Sequence, residues 1–190
     1  MKGYWIPTGN WFIGTGYEHA HHLMQSFGMC EAGSLESADL LVLPGGADIG
    51  ERPIRDEKEG IALDYAKKHN IPVFGICRGL QFMLWSSGVP LIDHIPNQTT
   101  LIEHRTLTGD WTGQSGWHST ELGLLVNSRH HQGAAIAPHW NIIDRCADGI
   151  IEAASLGNWF GVQWHPEHPE MLDMPANRWL TAELKMRDMI

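Results

Sequence analysis

The hydrophobic pattern of this chain changes character about halfway along. In the first half, short apolar runs alternate with segments of helical period. Residues 4–7 predict a short first strand. Residues 17–27 predict a helix, with Ala20, Leu23, Met24 and Phe27 on one face. Residues 38–43 form an apolar run closed by Pro44-Gly45-Gly46, the form of a buried parallel strand. A polar loop over 48–55 precedes a helix over 56–69, in which Ile61, Leu63 and Ala66 are spaced for a core face. Residues 73–76 predict the next strand, followed by a helix to Ser87. Strand and helix in this rhythm imply a parallel sheet with helices on both faces. Right-handed crossovers then place a site at the carboxyl edge of the strands. In the second half, residues 124–127, 142–146, 150–154 and 159–164 read as short strands, with Gly157-Asn158 as a hairpin turn. These strands predict an antiparallel or mixed extension of the main sheet. Residues 176–189 predict an amphipathic helix with Trp179, Leu180 and Leu184 on one side. The expectation is one three-layer α/β domain over residues 1–190, without repeats, linkers or low-complexity tracts.

Composition narrows this reading. Hydrophobic content of 43% with 18% charged residues describes a chain that folds. A net charge of -9 without a basic stripe argues against nucleic acid as a partner, although a local pocket can still suit an anionic substrate. No apolar run approaches the ~18 residues of a membrane span. The start, Met1-Lys2-Gly3-Tyr4-Trp5, lacks the apolar core of a signal peptide. Cys30, Cys77 and Cys146 are odd in number and far apart, which does not describe a disulfide framework. A reducing cytoplasm is the expected setting, and it would protect a thiolate. Most of the nine tryptophans are expected in the core or in pocket walls.

The most informative stretch is Gly75-Ile76-Cys77-Arg78-Gly79, at the junction between a predicted strand and a predicted helix. A nucleophile between two glycines at such a turn has the layout of a nucleophile elbow. The glycines relieve crowding, while the central residue takes up strained backbone geometry with its side chain thrust outward. Cys77 also falls at a helix N-terminus, where the dipole favours thiolate. A lone cysteine is more often a buried strand-end residue, but the flanking pattern outweighs that base expectation here. A second signal is Gly161-Val162-Gln163-Trp164-His165-Pro166-Glu167. It offers His165 as a base and Glu167 as the carboxylate that fixes its tautomer, the set a cysteine nucleophile requires. Alone, His165 would be a loop histidine and Glu167 a solvated carboxylate. His168 and Glu170 read as bystanders. The Arg78 backbone N–H, at the start of the elbow helix, is placed to donate to an oxyanion. Arg78's side chain has two open readings: binding an acidic substrate group, or pairing with a carboxylate such as Glu103 or Glu152. A pocket role for Glu152 is left open as well. Glu18-His19-Ala20-His21-His22 brings metal-capable side chains to one helix face, and a polar surface is the preferred reading over a metal site.

The segments GICRG, PGG and GVQWHPE together resemble the class I glutamine amidotransferase superfamily over roughly residues 38–167. Arg78 directly after the nucleophile, Asn127-Ser128-Arg129-His130-His131-Gln132 and Asp148-Gly149-Ile150-Ile151-Glu152-Ala153 look like its γ-glutamyl hydrolase branch, which includes the γ-glutamyl-γ-aminobutyrate hydrolases. That resemblance implies Gly46, with Gly45 second, as the loop donating to the oxyanion. It also implies that Gln81, one helical turn after Cys77, contacts the amino-acid end of a γ-glutamyl group and that the run Ser128, Arg129, His130 and His131 gives that end backbone contacts, the His130 and His131 side chains being open to a supporting role or simple exposure. Two departures bear on the leaving-group pocket: Ser87-Gly88-Val89 stands where the hydrolases carry a glycine pair, and the chain is shorter than typical members. The implied activity is hydrolysis of a γ-glutamyl amide through a Cys77 thioester, with no cofactor and no metal, on a small-molecule substrate. One alternative is a glutaminase subunit that supplies ammonia to a separate synthetase; another is a catalytically silent binding module. A synthetase or a second copy of the chain would be the protein partner.

Overall fold

A computed structural model of the chain describes residues 1–5, 15–95 and 116–190. Residues 6–7, expected to end the first strand, and Glu103 lie outside the described residues, as does the side chain of Glu18. In chain order the elements are β1 (Lys2–Trp5), α1 (Thr15–Ser26), β2 (Cys30–Glu31), β3 (Leu40–Leu43), α2 (Pro53–His69), β4 (Val73–Ile76), α3 (Arg78–Ser86), β5 (Gly116–Ser119), β6 (Leu125–Ser128), β7 (Asn141–Arg145), β8 (Ile151–Leu156), β9 (Trp159–Val162) and α4 (Pro175–Met186).

Seven strands form one sheet in the order β2-β1-β3-β4-β9-β8-β7. The strands from β2 to β9 run parallel. β8 and β7 then continue the sheet antiparallel, as the second-half pattern predicts. The β8–β9 hairpin turns at Gly157-Asn158, with Leu156 paired to Trp159 and Gly157 at φ 59°. Glycine at the first central position suits a two-residue hairpin loop.

The central strands are buried on both faces, which explains their unbroken apolar runs. Alternate residues serve opposite layers. Leu40, Val42, Phe74, Ile76, Phe160 and Val162 pack with Ala20, Leu23 and Met24 of α1 and with Ala176, Leu180 and Leu184 of α4. Leu41, Leu43, Val73 and Ala154 pack with Ala62, Leu63 and Ala66 of α2 and with Leu80, Met83 and Leu84 of α3. The three-layer α/β architecture follows.

Two expectations are corrected. Ile61 is 64% exposed, because α2 turns Ala62, Leu63 and Ala66 inward together with Arg55 and Glu59. Its phase is set partly by buried charge, which a count of apolar positions does not register. The strand expected at 124–127 does not extend the main sheet. It pairs antiparallel with β5, Trp117 facing Asn127, in a separate two-stranded sheet. Among the described residues, no helix is long and apolar enough to cross a membrane.

Candidate active site

The parallel strands β3, β4 and β9 end side by side. Their continuations, Pro44-Gly45-Gly46, Cys77 and Gln163-Trp164-His165, therefore meet at one sheet edge. Cys77 is the N-cap of α3, at φ 51° and ψ -107°. That geometry costs on the order of 1–3 kcal/mol and persists only where its surroundings enforce it. Here they do. Cys77 N–H donates to Val162 O at 2.8 Å, and Gln81 N–H donates to Cys77 O at 3.1 Å. A Cβ on Gly79 would strike the backbone carbonyl of Leu43. One on Gly75 would lie 2.7 Å from both Gly79 C and Leu80 N. The two glycines let α3 start hard against β3 and β4.

Around the Cys77 sulfur, Gln163 Nε2 donates to Sγ at 3.5 Å. His165 Nδ1 lies 2.6 Å from Glu167 Oε1, and both residues are buried. Glu167 can only accept when ionised, so Nδ1 carries the proton and Nε2 remains for exchange with sulfur. Burial pushes the His165 imidazole down. Cys77 and then Glu167 more than offset this and hold it well above the usual histidine value. Gly45 fits between the two groups: a Cβ there would sit 2.6 Å from His165 Cε1 and 3.6 Å from Cys77 Cβ.

The His165 main chain is fixed from β6. Asn127 Oδ1 accepts from His165 N–H at 2.8 Å, and Asn127 Nδ2 donates to His165 O at 3.1 Å. Asn177 Nδ2 donates to Pro166 O at 2.8 Å. His168 packs edge-on to the His165 ring, centroids 5.3 Å apart. Burial first, then His165, push His168 down to about 4, so it is neutral at ordinary pH. Glu170 pairs with Arg129 Nη2 at 3.1 Å, while Glu167 holds the His165 ring. Of the Glu18–His22 cluster, His19 lies against the His168 ring, with centroids 5.1 Å apart.

The Arg78 side chain takes the second of its expected roles, pairing with carboxylates, but the partners are residues of α2. It is 1% exposed and reaches back to α2, where it pairs with Glu59 and Asp56. Glu59 also accepts from Arg55 Nε at 2.8 Å. Arg55 Nη2 in turn donates to Pro44 O at 2.8 Å and Gly45 O at 3.1 Å. This buried quartet links the elbow to the glycine loop. Gly46, at φ 144°, lies so close to the Arg55 guanidinium that a Cβ would overlap it. The side chain thus serves the frame, and the Arg78 backbone N–H, first in α3, has no acceptor within the helix.

The remaining candidates are distributed as follows. Gln81 Nε2 donates to Gln132 O at 2.9 Å and to Gln163 Oε1 at 3.2 Å, completing a chain to the sulfur. Ser128 closes β6 and is buried. His131 Nε2 lies 2.9 Å from Asp48 Oδ2, near the glycine loop in sequence. His130 and Glu152 face each other, with Nε2 3.8 Å from Oε1. Sequence reading missed Asn127, Gln163, Asn177 and Arg55 as positioning residues. The Arg55–Glu59 spacing of four within a helix was a usable signal; the others depend on contacts that no local pattern encodes.

Comparison with known proteins agrees with this fold. The family model described as Peptidase C26 matches residues 32–167. The chain is 34% identical over 135 residues to a γ-glutamyl-γ-aminobutyrate hydrolase of Escherichia coli O157:H7, covering 60% of this chain and 53% of that protein. It thus spans about half the length of such curated relatives. A glutamine amidotransferase from Thermotoga maritima superposes with a TM-score of 0.65 at 15% identity, over 100% of this chain and 86% of its own. The glutaminase domain of CTPS from Trypanosoma brucei superposes with a TM-score of 0.62 at 16% identity, over 97% and 92%. Those solved structures share the fold. On the family match, the chain belongs to the peptidase C26 family, whose members are class I glutamine amidotransferase-like.

Proposed function

We propose that residues 1–190 form one amidotransferase-like domain that hydrolyses a γ-glutamyl amide, glutamine or a γ-glutamyl amine, through a glutamyl thioester on Cys77. The observation that carries this reading is a cysteine held at φ 51° on an elbow, beside a histidine locked by a carboxylate 2.6 Å away. In this reading His165 takes the Cys77 proton and the sulfur attacks the side-chain carbonyl of the substrate. The carbonyl oxygen becomes an oxyanion and accepts from the backbone N–H groups of Arg78 and Gly46, with Gly45 adjoining. On collapse the C–N bond breaks, and His165 protonates the departing amine. His165 next takes a proton from water, which attacks the thioester and releases glutamate and free Cys77. Glu167 keeps the imidazole oriented throughout. In this reading Gln81 and the backbone of Ser128, Arg129, His130 and His131 serve the amino-acid end of the substrate. No step requires a cofactor, and a reducing compartment would keep Cys77 competent.

The test is glutamate release from glutamine and a panel of γ-glutamyl amines by the purified chain, against a Cys77→Ala control. The reading predicts turnover by the chain alone on at least one amide, and none by the control. Turnover unchanged in the control contradicts it. Turnover appearing only with an added synthetase would instead mark an ammonia-supplying subunit.

A further inference from the structure

Away from Cys77, a second group of reactive side chains gathers where the β5–β6 sheet meets the edge of the main sheet. His118 lies on β5, and His130 follows β6. Cys146 follows β7, and Glu152 lies on β8. The ligand-capable atoms of His118, Cys146 and Glu152 all lie within 4.8 Å of one another. His118 Nε2 is 3.4 Å from Glu152 Oε1, and His130 Nε2 is 3.8 Å from the same oxygen. Among the described residues, neither Glu152 oxygen nor either of those nitrogens has a hydrogen-bond partner, although Glu152 is fully buried. A buried carboxylate whose neighbours, His118 and the Cys146 thiol, stand outside good bonding geometry is unfavourable.

His130 sharpens the point. Its Nδ1 lies 2.9 Å from Gln132 O, which can only accept, so Nδ1 carries the proton. In the neutral ring the Nε2 lone pair then faces the Glu152 oxygen. Two acceptors opposed in a buried space call for a proton or a metal cation between them. Two imidazoles, a thiolate and a carboxylate are donors typical of tetrahedral zinc, and bonds of about 2.0–2.3 Å place such donors roughly 3.3–3.8 Å apart. The two distances given for this cluster fall in that interval.

We propose that His118, Cys146 and Glu152, with His130 beside Glu152 as the fourth donor, form a structural site for a divalent metal of the zinc class. It lies apart from Cys77, His165 and Glu167, and it uses the His130 side chain, whereas the substrate contact proposed for that residue is through its backbone. Two ligands come from the β5–β6 sheet and its following turn, and two from the antiparallel extension of the main sheet. Bound metal would therefore staple the two sheets, supplementing the Glu121 N–H to Arg145 O bond at 2.7 Å and the Thr120–Cys146 bridge. His118 is only partly buried and gives the ion a route in.

The test loads the full chain with zinc, removes free ion and measures metal content by plasma mass spectrometry, with cobalt as a spectroscopic substitute. One metal per chain is expected in the wild type and in Cys77→Ala, falling to a small fraction in Cys146→Ser and Glu152→Gln. Cobalt should give a thiolate charge-transfer band and tetrahedral visible bands that Cys77→Ala keeps. Chelation should lower the melting temperature of the wild type. The wild-type cobalt spectrum and chelation shift stand without the variants, should those fail to fold. Substoichiometric metal with no thiolate band overturns the proposal and leaves a proton as the occupant. Metal lost in Cys77→Ala but kept in Cys146→Ser overturns it in favour of adventitious binding at the catalytic cysteine.

Discussion

At the residue scale, the chemistry rests on where the proton of the Cys77–His165 pair resides. Burial alone would leave the imidazole neutral; the sulfur and the Glu167 carboxylate outweigh it and raise the His165 pKa well above its usual value. A raised pKa means that the interaction is fully present below the unfolded value near 6.5 and is lost as pH rises through the folded one. An imidazole signal followed by NMR should thus titrate well above 6.5 in the wild type and move down in Cys77→Ala and in Glu167→Gln. The alkaline limb of the rate profile should shift the same way in Glu167→Gln; an unmoved limb would detach Glu167 from the imidazole. Substituting His165 with Ala removes the proton carrier and should lower kcat by roughly 10²–10⁴. The elbow itself was legible from sequence, since Gly75, Cys77 and Gly79 record a purely local steric demand. The roles of Gln163 and of the Arg78 side chain were not, because their partners lie 86 and 19 residues away.

At the element scale, strand β6 grips the main chain of His165, the proposed base. Asn127→Ala removes both side-chain bonds to His165 while leaving Cys77, His165 and Glu167 unsubstituted. Misplacement of a catalytic group by about an ångström can cost on the order of 10²-fold in rate. Steady-state kinetics should therefore show kcat reduced by about 10–10² with a smaller change in KM; an unchanged kcat would remove Asn127 from the positioning scheme. Helix α2 has a comparable part on the other side. Its Glu59 is buried between Arg55 and Arg78, and Glu59→Gln leaves two buried guanidinium groups undercompensated. Breaking such an arrangement costs about 3–5 kcal/mol, to be read from denaturant midpoints. A loss under about 1 kcal/mol would mean that water or rearrangement replaces the pair. Element types in the parallel half largely followed from periodicity, but the short β2 was not expected, β1 lies at Lys2–Trp5 and α2 begins at Pro53, inside the expected loop. The misplaced Ile61 shows the limit, since a helix whose inner face carries an ion-pair network does not display its phase in apolar residues alone.

At the scale of the whole molecule, the sheet order explains why three distant segments form one site. β3, β4 and β9 are adjacent and parallel, so each delivers one component at the same edge. The antiparallel extension was readable from its turns, particularly Gly157-Asn158. The separate β5–β6 sheet was not, because four-residue strands with half-buried faces carry little pattern. The close packing also makes a sharp global prediction: Gly79→Ala drives a methyl into the Leu43 carbonyl and should destabilise the fold by more than about 3 kcal/mol, measured by thermal unfolding. A wild-type melting temperature in that variant would contradict the close approach of α3 to β3.

The central claim is that one cysteine is a substrate-directed nucleophile. The most direct measurement is peptide mapping by mass spectrometry after brief exposure to a thiol-reactive glutamine analogue. One adduct is expected, on Cys77, suppressed by excess glutamine or a γ-glutamyl amine and reduced in the His165→Ala variant, with exposed Cys30 and buried Cys146 unmodified. Labelling that favours Cys30, or that substrate does not suppress, would contradict it.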